Sequence, residues 1–123
     1  MYTVYRTIHP SDPSFPTEDK IIGQVDSNGA IYERGYATPV GRVDDFGVVY
    51  RHTQPVGRVD NSGAIYTAMG QKVGRVDDSG RVYDTTGKQI GSAETGQASN
   101  RIRLAGGAVL VLVVILHKGD REA

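Results

Sequence analysis

The sequence predicts an all-β fold, a closed ring of five short β-hairpins followed by an apolar C-terminal segment. An eleven-residue pattern, V-G-R-V-D-x-x-G-x-[IV]-Y, supports this prediction because it recurs without gaps. Its four copies stand at residues 22–32, 40–50, 56–66 and 73–83. The connections between copies are too short for a crossover helix, so neighbouring hairpins must lie side by side.

Each copy has the chemistry of a hairpin turn. An Asp at the first turn position and a Gly at the fourth are typical of a type I turn that a left-handed glycine closes as a G1 bulge. The Asp carboxylate can accept a hydrogen bond from the backbone amide two residues further on, which stabilises the turn. The predicted turn-forming residues are Asp26, Gly29, Asp44, Gly47, Asp60, Gly63, Asp77 and Gly80.

The turn also fixes the register of each hairpin. In the second copy it places Val43 opposite Val49 and Arg42 opposite Tyr50. The face with the two valines should point to a shared core. The other face carries Val40, Arg42 and Tyr50.

The outer face contains a guanidinium and a phenol ring at equivalent positions of three copies. Such a face is a candidate site for an anion or a carbohydrate, and the alternative is a set of solvated cross-strand pairs. The candidate residues are Arg42, Tyr50, Arg58, Tyr66, Arg75 and Tyr83.

The fifth hairpin is split between the two ends of the array. Residues 3–7, T-V-Y-R-T, match the second half of a copy, and Ile90-Gly91 begins a first half that has no second half after it. We expect these two strands to pair and to close the ring, which removes the exposed edges of the sheet. Residues 9–20 then form a surface loop between the split hairpin and the first complete one.

The I-G-x-[VI]-x-x-x-G-x-[VI]-x-[DN] rhythm, with its degenerate Ile90-Gly91 copy and a following apolar stretch, resembles the five-fold beta-flower proteins of bacteria. The resemblance covers about residues 20–116. It implies hairpins that radiate around a central axis, and it implies no activity. The chain departs from the family pattern in the Tyr that ends each copy and in its longer first loop.

The C-terminal segment breaks the repeat, since residues 104–116 contain no polar side chain. This stretch is shorter than the roughly 20 residues that cross a bilayer as a helix. Its many Val and Ile residues favour a strand over a helix, with Gly106 and Gly107 marking a bend. We therefore divide the chain into a repeat domain, residues 1–96, and a linker with the apolar segment, residues 97–123.

A ring of five small hairpins offers little interior, so we expect the apolar segment to be buried against other copies of the chain. The predicted self-association residues are Leu104, Val109, Leu110, Val111, Leu112, Val113, Val114, Ile115 and Leu116.

Composition excludes several kinds of chemistry. The chain has no Cys, and its three histidines, His9, His52 and His117, lack the spacing of metal ligands. Lys and Arg number 14, as do Asp and Glu, so the basic excess of a nucleic-acid-binding protein is missing. We expect neither an enzyme nor a bound cofactor or metal.

The sequence therefore predicts a non-enzymatic structural protein that self-associates into a homo-oligomer or a filament. Two alternatives stay open: a membrane-associated protein anchored by the C-terminal segment, and a carbohydrate- or anion-binding module. Met1 to Pro16 has no apolar stretch of the kind found in signal peptides. We expect a cytoplasmic or membrane-associated protein, although the sequence does not identify the compartment.

Overall fold

A computed structural model describes residues 1–12 and 14–116, in which a closed ten-stranded barrel surrounds a C-terminal helix. The helix α1 (Arg101–Val109) continues as a π-helical extension (Leu110–Ile115). The strands are β1 (Tyr2–Ile8), β2 (Glu18–Val25), β3 (Ala30–Glu33), β4 (Gly41–Val43), β5 (Val48–Arg51), β6 (Gln54–Val59), β7 (Ala64–Thr67), β8 (Lys72–Val76), β9 (Arg81–Asp84) and β10 (Gln89–Ala93).

All neighbouring strands of the barrel are antiparallel, and β1 closes it by pairing with both β2 and β10. Val4 lies opposite Ala93 and Tyr5 opposite Ser92, so the two half-copies form the fifth hairpin. This confirms the closed ring of five hairpins. The strands β1 and β2 continue their pairing to Ile8 and Glu18, so part of the predicted surface loop is strand.

The predicted register of the second hairpin is confirmed, since Arg42 pairs with Tyr50 and Val43 with Val49. The position of Val40 differs from the prediction. Val40 is half-buried and packs against the core instead of standing on the outer face. Its amide donates to the carbonyl of Ile31 at 2.8 Å, and Ile31 also pairs with Gly41. Two residues therefore share one partner, as in a β-bulge, and the extra residue turns inward.

The apolar segment is helical, so the expectation of a strand is wrong. A strand on the axis of a barrel would find no backbone partners, because the surrounding strands already pair with one another. A helix satisfies its amides and carbonyls within the segment itself. This requirement overrides the strand preference of Val and Ile.

The helix fills the interior of the barrel. Leu104, Leu110 and Leu112 are fully or almost fully buried, together with Val109 and Val111. They form a single core with inward-facing strand residues, among them Val4, Val25, Ile31, Val43, Val49, Val59, Ile65, Val76 and Val82.

Glycines on the strands and on the helix allow the two to approach closely. A Cβ at Gly57 would lie 2.6 Å from Leu110 Cδ2, and one at Gly23 would lie 2.7 Å from Leu112 Cδ1. On the helix, a Cβ at Gly106 would lie 3.0 Å from Val59 Cγ2. The two adjacent glycines thus lie within α1, where they allow close packing against the barrel. The predicted bend before a strand is wrong.

The apolar segment is thus sheltered mainly by its own chain. The expectation that other copies must bury it is wrong for Leu104 and residues 109–112, because the barrel itself excludes them from water. Residues 113–116 are only half-buried. The division at residue 96 stays a prediction, and its second part includes residues 117–123, which lie outside the described residues.

Candidate functional site

The Asp-x-x-Gly turns of the four complete copies lie together at one end of the barrel, which we call the turn end. In the second hairpin the amides of Phe46 and Val48 donate to Asp44 Oδ1, each at 2.9 Å. The amide of Gly47, at φ +87°, donates to the carbonyl of Asp44 at 3.1 Å. The same carboxylate bonds occur at Asp26, Asp60 and Asp77.

Asp84, which is not among the predicted turn-forming residues, adopts the same geometry. The amides of Thr86 and Lys88 donate to Asp84 Oδ1 at 2.9 and 3.0 Å. This turn joins β9 to β10 at the other end of the barrel. The sequence signal that identifies this turn is the spacing of Asp84 and Gly87, which repeats that of the hairpin turns.

Hydrogen bonds lower the pKa of three of these carboxyl groups. The Ser62 hydroxyl is the main cause at Asp60, and the Thr86 hydroxyl at Asp84. At Asp77, burial raises the pKa, but hydrogen bonds from the Ser79 hydroxyl and nearby groups outweigh it and lower the pKa. A lowered pKa keeps a carboxylate ionised as an acceptor, whereas a general acid needs a raised pKa.

The candidate ligand face exists as three separate pairs on the outside of the barrel. The guanidinium carbons of Arg42, Arg58 and Arg75 lie 4.0, 4.1 and 4.3 Å from the ring centres of their partners. Those partners are Tyr50, Tyr66 and Tyr83.

Two of these pairs make a further hydrogen bond within the chain. The Tyr50 hydroxyl donates to Asp44 Oδ2 at 3.3 Å, and Tyr83 makes the equivalent bond to Asp77 Oδ2 at 3.2 Å. One face of each ring is covered by its own guanidinium, which leaves that face closed to a sugar. The first hairpin has Gln24 in place of the arginine, so the pairs do not form a continuous ring.

The two ends of the helix meet different ends of the barrel. At the turn end, the Arg103 guanidinium donates to the carbonyl of Asp45 at 2.6 Å and to the side chain of Asn61. The C-terminal part of the helix therefore lies toward the opposite end, where it still packs against the core. There, four apolar side chains stay half-buried, and we call them the exit surface: Val113, Val114, Ile115 and Leu116.

Two shallow grooves lie at equivalent places of the first and fourth hairpins, between a glycine-containing strand and the turn that follows its partner. The first groove has a volume of about 240 Å³ and is lined by Ile21, Gly23, Gln24, Glu33, Arg34, Gly35 and Tyr36. The second groove has a volume of about 320 Å³ and is lined by Lys72, Gly74, Arg75, Asp84, Thr85, Thr86 and Gly87. Tyr36 lies outside the repeat pattern, and the sequence analysis did not single it out.

Two of the three histidines lie in the part of the chain that the structure describes. A ring nitrogen of His9 lies 2.6 Å from the carbonyl oxygen of Gln89, and His52 stands exposed at φ +56°. His117 lies outside the described residues. In residues 1–12 and 14–116, no group of three or more His, Asp or Glu side chains is placed to hold a metal ion.

No helix in the described part of the chain has both the length and the apolar character needed to cross a membrane.

Comparison with protein families found a match to the family described as 5-fold beta-flower protein, over residues 15–105. This range includes all four complete copies of the repeat and the first part of α1. The comparisons with curated proteins and with solved structures found no match.

Proposed function

This chain belongs to the 5-fold beta-flower protein family, and we propose that it is a non-catalytic structural protein that associates with other copies of itself through the exit surface. The observation that carries the proposal is a change in burial along one apolar segment. Leu110 and Leu112 are almost fully buried by the barrel, whereas Ile115 and Leu116 are only half-buried.

The exposed part of these side chains gives a driving force for association. Complete burial of a Val, Leu or Ile side chain contributes about 1.5–3 kcal/mol. Burial of the parts of the exit surface that are still exposed would contribute a fraction of this free energy for each side chain. Four side chains are fewer than the roughly 20–30 residues that each partner contributes to a standard interface. The turns around the exit surface, one of which carries the 96% exposed Met69, must therefore contribute, and we expect reversible association of modest affinity.

Charge does not oppose contact between copies. The chain has 14 basic and 14 acidic residues, so its formal net charge is zero. Proteins near zero net charge lack the long-range repulsion that keeps copies apart.

The buried helix disfavours the membrane-anchored alternative. Insertion of the segment into a bilayer would require Leu104 and residues 109–112 to leave the barrel, which would empty its core. The lowered pKa values of Asp60, Asp77 and Asp84 support a non-catalytic role, because these carboxylates serve as turn acceptors.

Sedimentation velocity on the full-length chain tests the proposal. We expect concentration-dependent association, and we expect the double variant Ile115→Ser/Leu116→Ser to weaken it by about tenfold or more. Phe46→Ser is the matched control, because Phe46 is 85% exposed at the turn end. It should associate like the unmodified chain.

A monomer at all concentrations up to about 1 mM would overturn the proposal. Equal association of the double variant and the control would also overturn it. Circular dichroism should show that both variants keep the fold. Deletion of the whole segment is not a suitable test, because it removes Leu104 and residues 109–112 from the core.

A further inference from the structure

We propose that the first groove binds a single neutral sugar ring, with Tyr36 as the surface on which the ring stacks. A sugar presents a face of C–H groups, which packs on an aromatic ring, and an edge of hydroxyl groups, which need both donors and acceptors. The first groove combines an exposed aromatic ring with polar groups of both kinds. The first groove lies at the same end of the barrel as the exit surface but shares none of its four residues, and the proposal does not depend on self-association.

Tyr36 differs from the tyrosines of the repeat in the availability of its ring. Its side chain is 64% exposed, and the three guanidinium–tyrosine stacks found among the described residues do not include it. Its amide donates to the carbonyl of Glu33 at 3.0 Å, which holds the backbone in a turn. This bond fixes the backbone from which the ring projects, and most of the side chain stays open to a ligand.

An apolar side chain also lines the groove. Ile21, on β2, is 45% exposed and lines the same groove as Tyr36. Small-molecule sites in proteins commonly join apolar or aromatic walls with a few polar groups that fix the orientation of the ligand. A sugar ring needs both, since one side of it is apolar and its rim is polar.

The polar groups suit hydroxyls and favour a neutral ligand. The Gln24 amide can both donate and accept hydrogen bonds, and the Arg34 guanidinium can donate. Arg34 and Glu33 carry opposite charges, so the groove has no net charge to select an anion or a cation.

The volume of the groove suits a single ring. Its volume of about 240 Å³ lies below the range of about 300–1,000 Å³ that is typical of drug-sized ligands. Gly23 and Gly35 line it without side chains, and a Cβ at Gly35 would meet no atom within 4 Å. The groove is therefore open at Gly35, where further sugar units of a longer chain can extend into solvent.

The second groove is an internal control within the same molecule. It occupies the equivalent place in the fourth hairpin, and its residues include Lys72, Thr85 and Thr86 but no aromatic side chain. If the shape of the fold alone were enough for binding, both grooves would bind a sugar. We expect only the first to do so.

Titration of the isotope-labelled full-length chain with glucose, galactose, mannose and N-acetylglucosamine, followed by amide NMR, tests this inference. We expect saturable shifts with at least one sugar, centred on the amides of Gly23, Gln24 and Gly35. Tyr36→Ala should weaken binding by roughly threefold to tenfold, because it removes the stacking surface. Thr86→Ala, in the second groove, should leave the affinity unchanged.

The inference is overturned if none of the four sugars gives saturable shifts at concentrations up to about 100 mM, which corresponds to very weak binding. It is also overturned if Tyr36→Ala binds like the unmodified chain, or if the shifts centre on the three Arg–Tyr pairs. The Ile115→Ser/Leu116→Ser variant should bind the sugar normally, so a failure of self-association is distinguishable from a failure of sugar binding.

Discussion

Each hairpin turn depends on one aspartate carboxylate, and neighbouring side chains change the pKa of that carboxylate. In the third hairpin the Ser62 hydroxyl donates to Asp60 Oδ1 at 2.7 Å, whereas the second hairpin has Phe46 at the equivalent position. The bonds lower the folded-state pKa of Asp60 below its ordinary value. Asp60 therefore stabilises the fold at pH values above its unfolded pKa of about 3.9, and this contribution is lost as the pH falls through the folded pKa.

Ser62→Ala tests this role of the hydroxyl. We expect the pKa of Asp60 to rise toward its ordinary value, because the hydroxyl is the largest cause of its depression. The contribution of Asp60 to acid stability should shrink accordingly. Carboxyl NMR titration measures the pKa, and Asp77, which keeps Ser79, is the reference in the same spectrum. A parallel rise at Asp77, or no rise at Asp60, would contradict the assignment.

At the scale of the element, the helix must be narrow enough to fit inside the barrel. Gly106 and Gly107 would be poor choices for an exposed helix, since Gly is about 1 kcal/mol less favourable than Ala. Here they face Val59 and Val43 at close range. The lost helix propensity is outweighed by the packing that the small residues permit.

Gly107→Ala should therefore destabilise the protein although it improves helix propensity. The added methyl collides with Val43 Cγ2, and overpacking of a core costs about 1–3 kcal/mol. Chemical denaturation measures the loss. The double variant Gly107→Ala/Val43→Ala removes the colliding atoms. Its loss of stability should therefore be smaller than the sum of the losses in the two single variants. Simple additivity, or a stabilised single variant, would show that the helix has room to spare.

At the scale of the whole molecule, the barrel and the helix share one core, so neither has a separate hydrophobic interior. The helix residue Leu110 is almost fully buried and lies against the bare backbone of Gly57 in β6. Closure through β1 completes the wall around it. We therefore expect the barrel and the helix to unfold in one transition.

Leu110→Ala should lower the free energy of unfolding by about 2–5 kcal/mol, because it leaves a cavity between helix and barrel. Near-ultraviolet and far-ultraviolet circular dichroism should report the same midpoint in a denaturant titration. Phe46→Ala, at an exposed turn position, should change stability by less than about 0.5 kcal/mol. Separate transitions for the two signals would show that the helix folds independently of the barrel.

The features that could be predicted from the sequence are those that depend on local chemistry. The Asp and Gly of each turn fix a hairpin and its register within a few residues, and their repetition shows how the half-copies at Val4 and Ile90 complete one another. Val40 shows the limit of this reasoning, because alternation along a strand does not reveal a bulge. Tyr36 shows a second limit, since a residue outside the repeat gains significance only from the groove around it.

The tertiary structure alone decided the form and place of the apolar segment. Val and Ile at residues 109–115 favour a strand in local terms, but a strand needs neighbours for its amides and carbonyls. The closed ring offers no free backbone partners on its axis. It does provide a cavity wide enough for a helix, because Gly23 and Gly57 on the barrel and Gly106 and Gly107 on the helix lack side chains. The location of free backbone partners and free volume is a property of the assembled barrel, so no window of sequence contains it.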